Sequence, residues 1–213
     1  MLVDIHSHKY PVTDNWVVYN VPMVQADIVF SSNTQAFFSV GFHPWLIEAF
    51  SPERMEKMKK WVDDIRLVAI GECGLDKNSK VSLEKQLEIF EKQVMFSEEK
   101  QKPLIVHCVG YFNELFELKK LWNPEQAWII HGFRGKPQLA EQALKSNCNL
   151  SFGEYFNEES VRLTPVENLF VETDESNMLI EDIYVNIAKA KACSINDLDA
   201  GERLLRKNKN SNM

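Results

Sequence analysis

The amino-acid sequence predicts an α/β fold of the (β/α)8 class, a compact TIM barrel whose first crossover helix is reduced or absent. Short apolar runs alternate with longer amphipathic segments along the 213 residues, as expected for parallel strands joined by helical crossovers. Eight short runs are present, which is the strand number of a closed barrel. Each of the five histidines lies at or just after the end of such a run, where barrel active sites are assembled. An open doubly wound sheet is the alternative.

The predicted strands are short and rich in aliphatic and aromatic side chains, which is typical of strands buried on both faces of a parallel sheet. They are Leu2–Ile5, Trp16–Val21, Phe37–Phe42, Leu67–Gly71, Leu104–Val106, Trp128–Ile130, Asn149–Phe152 and Leu169–Glu172. Only residues 8–15 separate the first strand from the second, which is too short for a crossover helix.

Amphipathic segments between the later strands predict helices. They cover residues 51–64, 82–101, 110–121, 137–147 and 179–192. The first of them opens with Ser51 and Pro52, a capping residue followed by proline at the first helical position. The second has Phe90 and Val94 on one face at helical spacing, with charged residues on the other.

Composition limits the partners and the domain count. The net charge of −7 argues against binding nucleic acid through the whole surface, because proteins that do so are usually basic. There is no leader-like segment and no apolar run of about 20 residues, so we expect a cytoplasmic protein without a membrane span. The four cysteines show no CxxC spacing and are expected to be reduced. A single domain is expected over residues 1–206, with a disordered tail at 207–213.

The segment DIHSH, residues 4–8, is the strongest local signal of a metal site. Residues two apart in an extended chain point to the same side, so His6 and His8 can project together. Asp4 lies deeper on that side and could orient a ligating histidine through its far ring nitrogen. One histidine beside a strand is more often a hydrogen-bonded core residue, but five of five at strand ends favour metal ligands.

Four further candidate ligands, Glu72, His107, His131 and Asp174, come at the ends of later apolar runs. Core packing does not explain a carboxylate such as Glu72 directly after an apolar run, because burying an unpaired charge is costly. In a closed barrel the last strand lies beside the first, so Asp174 would face the histidines of the first strand. Together these side chains exceed what one ion needs, which predicts two divalent ions sharing a carboxylate. Mixed nitrogen and oxygen donors favour Zn, Mn, Ni or Fe(II) over Mg, although the ligands alone leave the metal open.

Seven motifs in order resemble the TatD family of metal-dependent hydrolases. They are DIHSH (4–8), GFHPW (41–45), IGECGLD (70–76), PLIVHC (103–108), IIHGFRG (129–135), SFG (151–153) and VETD (171–174). The resemblance runs from Met1 to about Asp174. It implies a (β/α)8 barrel and the hydrolysis of phosphodiester bonds, commonly as a deoxyribonuclease.

The resemblance also implies roles for the candidate residues. It places His6, His8 and Asp174 on one metal ion, His107 and His131 on the other, and Glu72 as the bridge between them. Asp174 and Glu72 would then be catalytic, with Asp174 orienting or deprotonating the attacking water. His43 matches a family position and, like Asp4 and Arg134, is expected to support the ligands or to contact substrate.

Departures from the family lie where substrate would be held. Val109 stands where the family often has an arginine, and the proline that usually follows the last-strand aspartate is absent. Local cations such as Arg134 and Lys80, and loop aromatics such as Trp45 and Tyr155, could still contact phosphates and bases. We therefore predict a deoxyribonuclease-like enzyme acting on nucleic acid or a small phosphodiester.

Two other functions are alternatives. One is an amidohydrolase or lactonase that cleaves a small carbonyl substrate, and the other is a degenerate barrel that binds a ligand or partner without turnover. Many members of the broader amidohydrolase group use a carboxylated lysine on the fourth strand. Glu72 occupies that position here, which favours phosphoester chemistry. The sequence leaves the oligomeric state open.

Overall fold

The computed structural model describes residues 1–10, 16–32 and 36–210. Within these ranges eight strands follow one another through the sheet in chain order. They are β1 (Val3–Ser7), β2 (Trp16–Asn20), β3 (Phe37–Val40), β4 (Leu67–Asp76), β5 (Leu104–Val109), β6 (Trp128–Ile130), β7 (Cys148–Phe152) and β8 (Leu169–Val171). The pairs β1–β2, β3–β4, β4–β5 and β7–β8 are parallel. With the helices between them, these strands form the predicted (β/α)8 class of fold.

The helices of the described residues include the five that the sequence predicts and three more. They are α1 (Ala26–Ser31), α2 (Pro52–Trp61), α3 (Leu83–Lys100), α4 (Phe112–Trp122), α5 (Pro137–Lys145), α6 (Glu158–Leu163), α7 (Ile180–Lys191) and α8 (Ala200–Asn210). As predicted, the Ser51 side chain caps α2 by accepting a hydrogen bond from the backbone nitrogen of Arg54. Helices α1 and α6 have six residues each, too few for a helical period to show in the sequence.

Two sequence predictions concern the segment after the first strand and the C-terminal tail. Residues 8–10 after β1 contain no helix, and residues 11–15 lie outside the described residues. Helix α8 continues to Asn210 and so includes residues 207–210 of the segment expected to be a disordered tail, while residues 211–213 lie outside the described residues. The helix is held by its apolar side, where Leu205 is fully buried and Gly201 packs closely against Val3. None of the helices in the described parts of the chain is long and apolar enough to cross a lipid bilayer.

Contacts divide the chain into two compact units, of which the first comprises Met1–Tyr19 and Ile129–Met213. In this unit the end of β1 lies beside the residues that follow β8. The backbone nitrogen of Asp174 donates to the carbonyl oxygen of His6 (2.9 Å), and the nitrogen of His8 donates to that of Asp174 (3.1 Å). An open doubly wound sheet would not bring its last strand against its first, so this pairing supports the closed class.

The second unit, Asn20–Trp128, contains the longest strand and the longest helix of the described residues. All ten residues of β4 are buried, as expected for a parallel strand covered on both faces. Helix α3 begins after the Ser82 cap and buries Phe90 and Val94. The Phe90 ring packs edge-on against Trp128, with ring centroids 5.1 Å apart.

Candidate metal centre

In the first unit, β1 and the residues after β8 bring His6, His8 and Asp174 together. His6 lies within β1 and is fully buried, whereas the His8 side chain is 35% exposed. The Nε2 atoms of His6 and His8 lie 3.7 and 3.5 Å from the same oxygen, Oδ1 of Asp174. One ligand atom from each residue falls within 4.8 Å of the others, so a single cation could contact all three.

His131, directly after β6, lies beside His6, with ring centroids 4.3 Å apart. Its Nδ1 is 3.7 Å from Oε1 of Glu172, which also accepts a hydrogen bond from the backbone nitrogen of Gly132. Glu172 is fully buried, and its Oε2 has no hydrogen-bond partner among the described residues. Since an unpartnered buried carboxylate oxygen is costly, this atom suits a nearby cation.

Asp4 fastens β1 to the residue that precedes Asp174. Its carboxylate is 3% exposed and accepts hydrogen bonds from the backbone nitrogen (3.0 Å) and the hydroxyl (2.6 Å) of Thr173. Burial raises the pKa of Asp4 to about 7, against the opposing effect of the bonds from Thr173. Asp4 therefore supports the position of Asp174 through the backbone. Its expected action on a histidine ring stays a prediction.

In the second unit, His107 lies between two carboxylates of β4. Its Nδ1 is 2.8 Å from Oε1 of Glu72, and its Nε2 is 2.9 Å from Oδ2 of Asp76. The strand register explains this, because Gly74 pairs with His107 and has one carboxylate two residues to either side. Only glycine fits there: a Cβ on Gly74 would lie 2.0 Å from the carbonyl oxygen of His107.

Glu72 also meets His43 and Asn20. Nε2 of His43 lies 3.3 Å from Oε1 of Glu72, and His43, Glu72 and His107 form a group whose ligand atoms fall within 4.8 Å of one another. Asn20 accepts a hydrogen bond from the backbone nitrogen of Glu72 (3.0 Å). His43 thus takes part in a possible ligand group, which is a closer involvement than the supporting or substrate-contacting role expected from the sequence.

Two buried glutamines of α3 hold the backbone segments that carry these groups. Gln93 accepts from the backbone nitrogen of Phe42 (2.7 Å), next to His43. Gln86 accepts from the nitrogen of Asp76 (2.7 Å) and donates to its carbonyl oxygen (3.0 Å). Burial would raise the pKa of Asp76, but hydrogen bonds from the Asn78 backbone, His107 and Trp45 hold it below its ordinary value.

Asp76 and Glu172 lie against the candidate ligands and were not among the residues predicted from the sequence. Each lies two or four residues from a predicted ligand within a motif already noticed, a spacing that places side chains on one face of an extended chain. The predicted bounds of the fourth and fifth strands ended too early. Because β4 continues to Asp76 and β5 to Val109, Glu72 and His107 lie inside strands rather than just after them.

A cavity of about 390 Å³ opens beside the first-unit group. Asp174, Glu172 and Arg134 line it, and the guanidinium carbon of Arg134 lies 5.2 Å from the ring centroid of Tyr155. The structure therefore brings Arg134 and Asp174, both predicted site residues, to the same cavity.

The fold and these imidazole–carboxylate groups define an α/β barrel protein whose strand ends are suited to divalent metal ions. The chain belongs to the TatD related DNase family, whose model matches residues 24–184.

The chain is similar in sequence to curated proteins with nuclease and hydrolase names. The 3'-5' ssDNA/RNA exonuclease TatD of Pantoea sp. (strain At-9b) is 28% identical over 156 residues, which cover 68% of this chain and 60% of that protein. The uncharacterized metal-dependent hydrolase YabD of Bacillus subtilis (strain 168) is 29% identical over 151 residues, 65% of this chain and 58% of that protein. The match thus spans about 60% of the length of each of these two relatives.

The crystal structure of YJJV, a TatD homolog from Escherichia coli K12, superimposes with a TM-score of 0.81 at 17% identity. The match covers 100% of this chain and 97% of that one. At this level of identity the likeness concerns the fold, and it confirms the (β/α)8 class.

Proposed function

We propose that the chain is a metal-dependent hydrolase that cleaves phosphodiester bonds in nucleic acid. The observation that carries the proposal is the position of Asp174. Its Oδ1 lies within 3.7 Å of an imidazole nitrogen of both His6 and His8, and the residue lines the 390 Å³ cavity. A carboxylate placed between ligands and substrate space can accept the proton of an attacking water. The names of the similar proteins, a ssDNA/RNA exonuclease and a metal-dependent hydrolase, support this reaction class.

The donor groups fit two divalent ions, with Zn, Mn, Ni and Mg as the candidates. We assign one ion to His6, His8 and Asp174, and the second to Glu72 and His107. The pairing of His131 with His107 and the bridging position of Glu72 stay predictions from the family resemblance. When bound, such ions supply the Lewis acidity that polarises a phosphoryl group and activates water.

The chain's own residues supply orientation and proton transfer. Asp174 orients the water and takes its proton, while Arg134 offers a guanidinium to phosphate oxygens in the same cavity. Asp76, 2.9 Å from Nε2 of His107, accepts the ring N–H and orients the ring, so that Nδ1, on the Glu72 side, can face the second ion. Glu172 accepts from the backbone of Gly132 and thereby fixes the residue after His131.

The test begins with the metal content of the purified protein. It continues with hydrolysis of a single-stranded oligonucleotide and of bis(p-nitrophenyl) phosphate, each with and without added Mn²⁺ or Zn²⁺. We expect bound metal and cleavage of both substrates. Asp174→Asn should lower kcat by about 10²–10⁴-fold, the usual contribution of a general base. The exposed Asp63→Asn serves as the matched control.

Each alternative has its own result. If the protein binds stoichiometric metal and hydrolyses a lactone or amide but no phosphodiester, the result would favour the amidohydrolase or lactonase hypothesis. Metal bound without any turnover would favour a binding protein. A protein that neither contains nor binds a divalent metal would refute the proposal.

A further inference from the structure

The second unit has a groove whose lining residues belong to neither ligand group and take no part in the proposed reaction. It has a volume of about 370 Å³ and is lined by Trp45, Glu48, Asn78, Ser79, Lys80 and Val81. Trp45 is 59% exposed, although tryptophan side chains are mostly buried in folded proteins. An aromatic face of this kind, beside a lysine, is available to a ligand.

The orientation of the Trp45 ring is set by hydrogen bonds. Its Nε1 donates to Oδ2 of Asp76 (2.7 Å), and Asp76 is only 1% exposed. The backbone nitrogen of Trp45 lies 3.1 Å from Nδ1 of His43, and the Ser79 hydroxyl donates to the carbonyl oxygen of Pro44 (2.9 Å). The indole is therefore held in place before any ligand arrives, which reduces the entropy lost on binding.

The same hydrogen bonds connect the groove to the second-unit ligand group. Oδ2 of Asp76 accepts from Trp45 and also lies 2.9 Å from Nε2 of His107. The rings of Trp45 and His43 are 5.6 Å apart. A ligand stacked on Trp45 would thus lie next to the residues to which we assign a metal ion.

The charges in the groove match a nucleotide. Lys80 is exposed, and none of the described residues forms an ion pair with it, so its ammonium group is available to a phosphate. Glu48 cannot bind phosphate, but its carboxylate can accept a hydrogen bond from an amino group of a base. Base stacking on an aromatic ring tolerates any sequence, because every base has a π face.

We propose that Trp45 and Lys80 form a subsite for one nucleotide of a single-stranded nucleic acid, beside the second-unit ligand group of Glu72 and His107. The base stacks on the indole of Trp45, and Lys80 contacts a neighbouring phosphate. This inference rests on the proposed nuclease function and adds a site of strand recognition to it.

The test is a double-mutant-type cycle that combines a substitution in the protein with the removal of a base from the substrate. A series of single-stranded oligonucleotides carries an abasic sugar at each position flanking the cleaved bond, and kcat/KM is measured for the wild type and for Trp45→Ala. We expect Trp45→Ala to lose about 5- to 150-fold on the unmodified strand, the range for one stacked base. At the contacted position the abasic strand should be cleaved equally by both proteins. Equal losses on every strand, or no loss at all, would overturn the proposal.

Two further variants separate stacking from support of His107. Trp45→Phe keeps a ring but lacks the N–H that bonds Asp76, so it should retain most of the preference for a base at the contacted position. Loss of that preference in Trp45→Phe, with KM unchanged, would show that Trp45 acts only through Asp76 and would refute the subsite. The neighbouring Leu46→Ala, also exposed at 62%, is the matched control and should leave the preference intact.

Binding distinguishes this inference from the nuclease proposal. The affinity of a fluorescently labelled oligonucleotide, followed by anisotropy over a range of salt, needs no cleavage. Lys80→Ala should reduce the slope of log K against log salt by about 0.7, the value for one phosphate on a single strand. Base-dependent binding that Trp45→Ala abolishes, without any cleavage by the wild type, would support the subsite and refute the nuclease. A slope unchanged in Lys80→Ala would refute its phosphate contact.

Discussion

Replacing Gln86 by leucine would remove a buried hydrogen-bond partner of the β4 end without creating a large cavity. The Gln86 amide makes three bonds, accepting from the Asp76 nitrogen (2.7 Å) and donating to the carbonyl oxygens of Asp76 (3.0 Å) and Val81 (2.8 Å). Each bond contributes about 0.5–1.5 kcal/mol, and leaving a buried donor unpaired costs about 1–3 kcal/mol. The more apolar leucine offsets part of this, so we expect a loss of about 2–3 kcal/mol of unfolding free energy.

The measurement is thermal unfolding by calorimetry, with urea unfolding as a second probe. For a chain of this size, about 2–4 °C of Tm corresponds to each kcal/mol, so Gln86→Leu should lower Tm by about 4–12 °C. The control is Gln142→Leu, the same exchange at an exposed position of α5, which should change stability by less than about 0.5 kcal/mol. If both variants unfold at the same temperature, Gln86 does not hold the β4 end and the reasoning is refuted.

Three other substitutions test the site. Glu72→Ala should lose activity and most of the bound metal, as measured by elemental analysis; a variant that still holds two ions would contradict its bridging role. Glu172→Gln keeps the shape but removes the buried charge beside His131, so metal affinity in a chelator titration should fall about 10–100-fold, and an unchanged affinity would limit Glu172 to a backbone role. Gly74→Ala would force a Cβ to 2.0 Å from a carbonyl oxygen at a φ of +140°, so the variant should be poorly folded by circular dichroism; a wild-type spectrum and Tm would refute this steric argument.

The agreement between sequence and structure is closest where a signal is local. The helix cap at Ser51 and the five predicted helices follow from neighbouring residues, and the structure has them within a few residues of their predicted ends. The sequence does not predict the ends of β4 and β5, because the apolar runs stop at Glu72 and His107 while the strands continue. The ladder continues through Asp76 and Val109, whose backbone groups are paired whatever their side chains.

The C-terminal helix α8 is a second feature that the local sequence does not predict. The polar composition of residues 207–213 predicts a disordered tail. Helix α8, which reaches Asn210, buries Leu205 in the first unit, and a Cβ on Gly201 would lie 3.0 Å from the Val3 side chain, a tight contact. Only a contact distant in the sequence reveals this.

The sequence alone identifies the candidate ligands His6, His8, Glu72, His107, His131 and Asp174, because an imidazole or a carboxylate that follows an apolar run can be recognised without knowing its neighbours in space. Which of them meet was decided by the tertiary structure. The contact between Asp76 and His107 depends on the register of two strands, and these residues are 31 positions apart in the chain. The burial of Glu172 beside His131 likewise depends on how separate strands pack. Strand register and packing arise from many weak contacts across the fold, and no local pattern of residues specifies them.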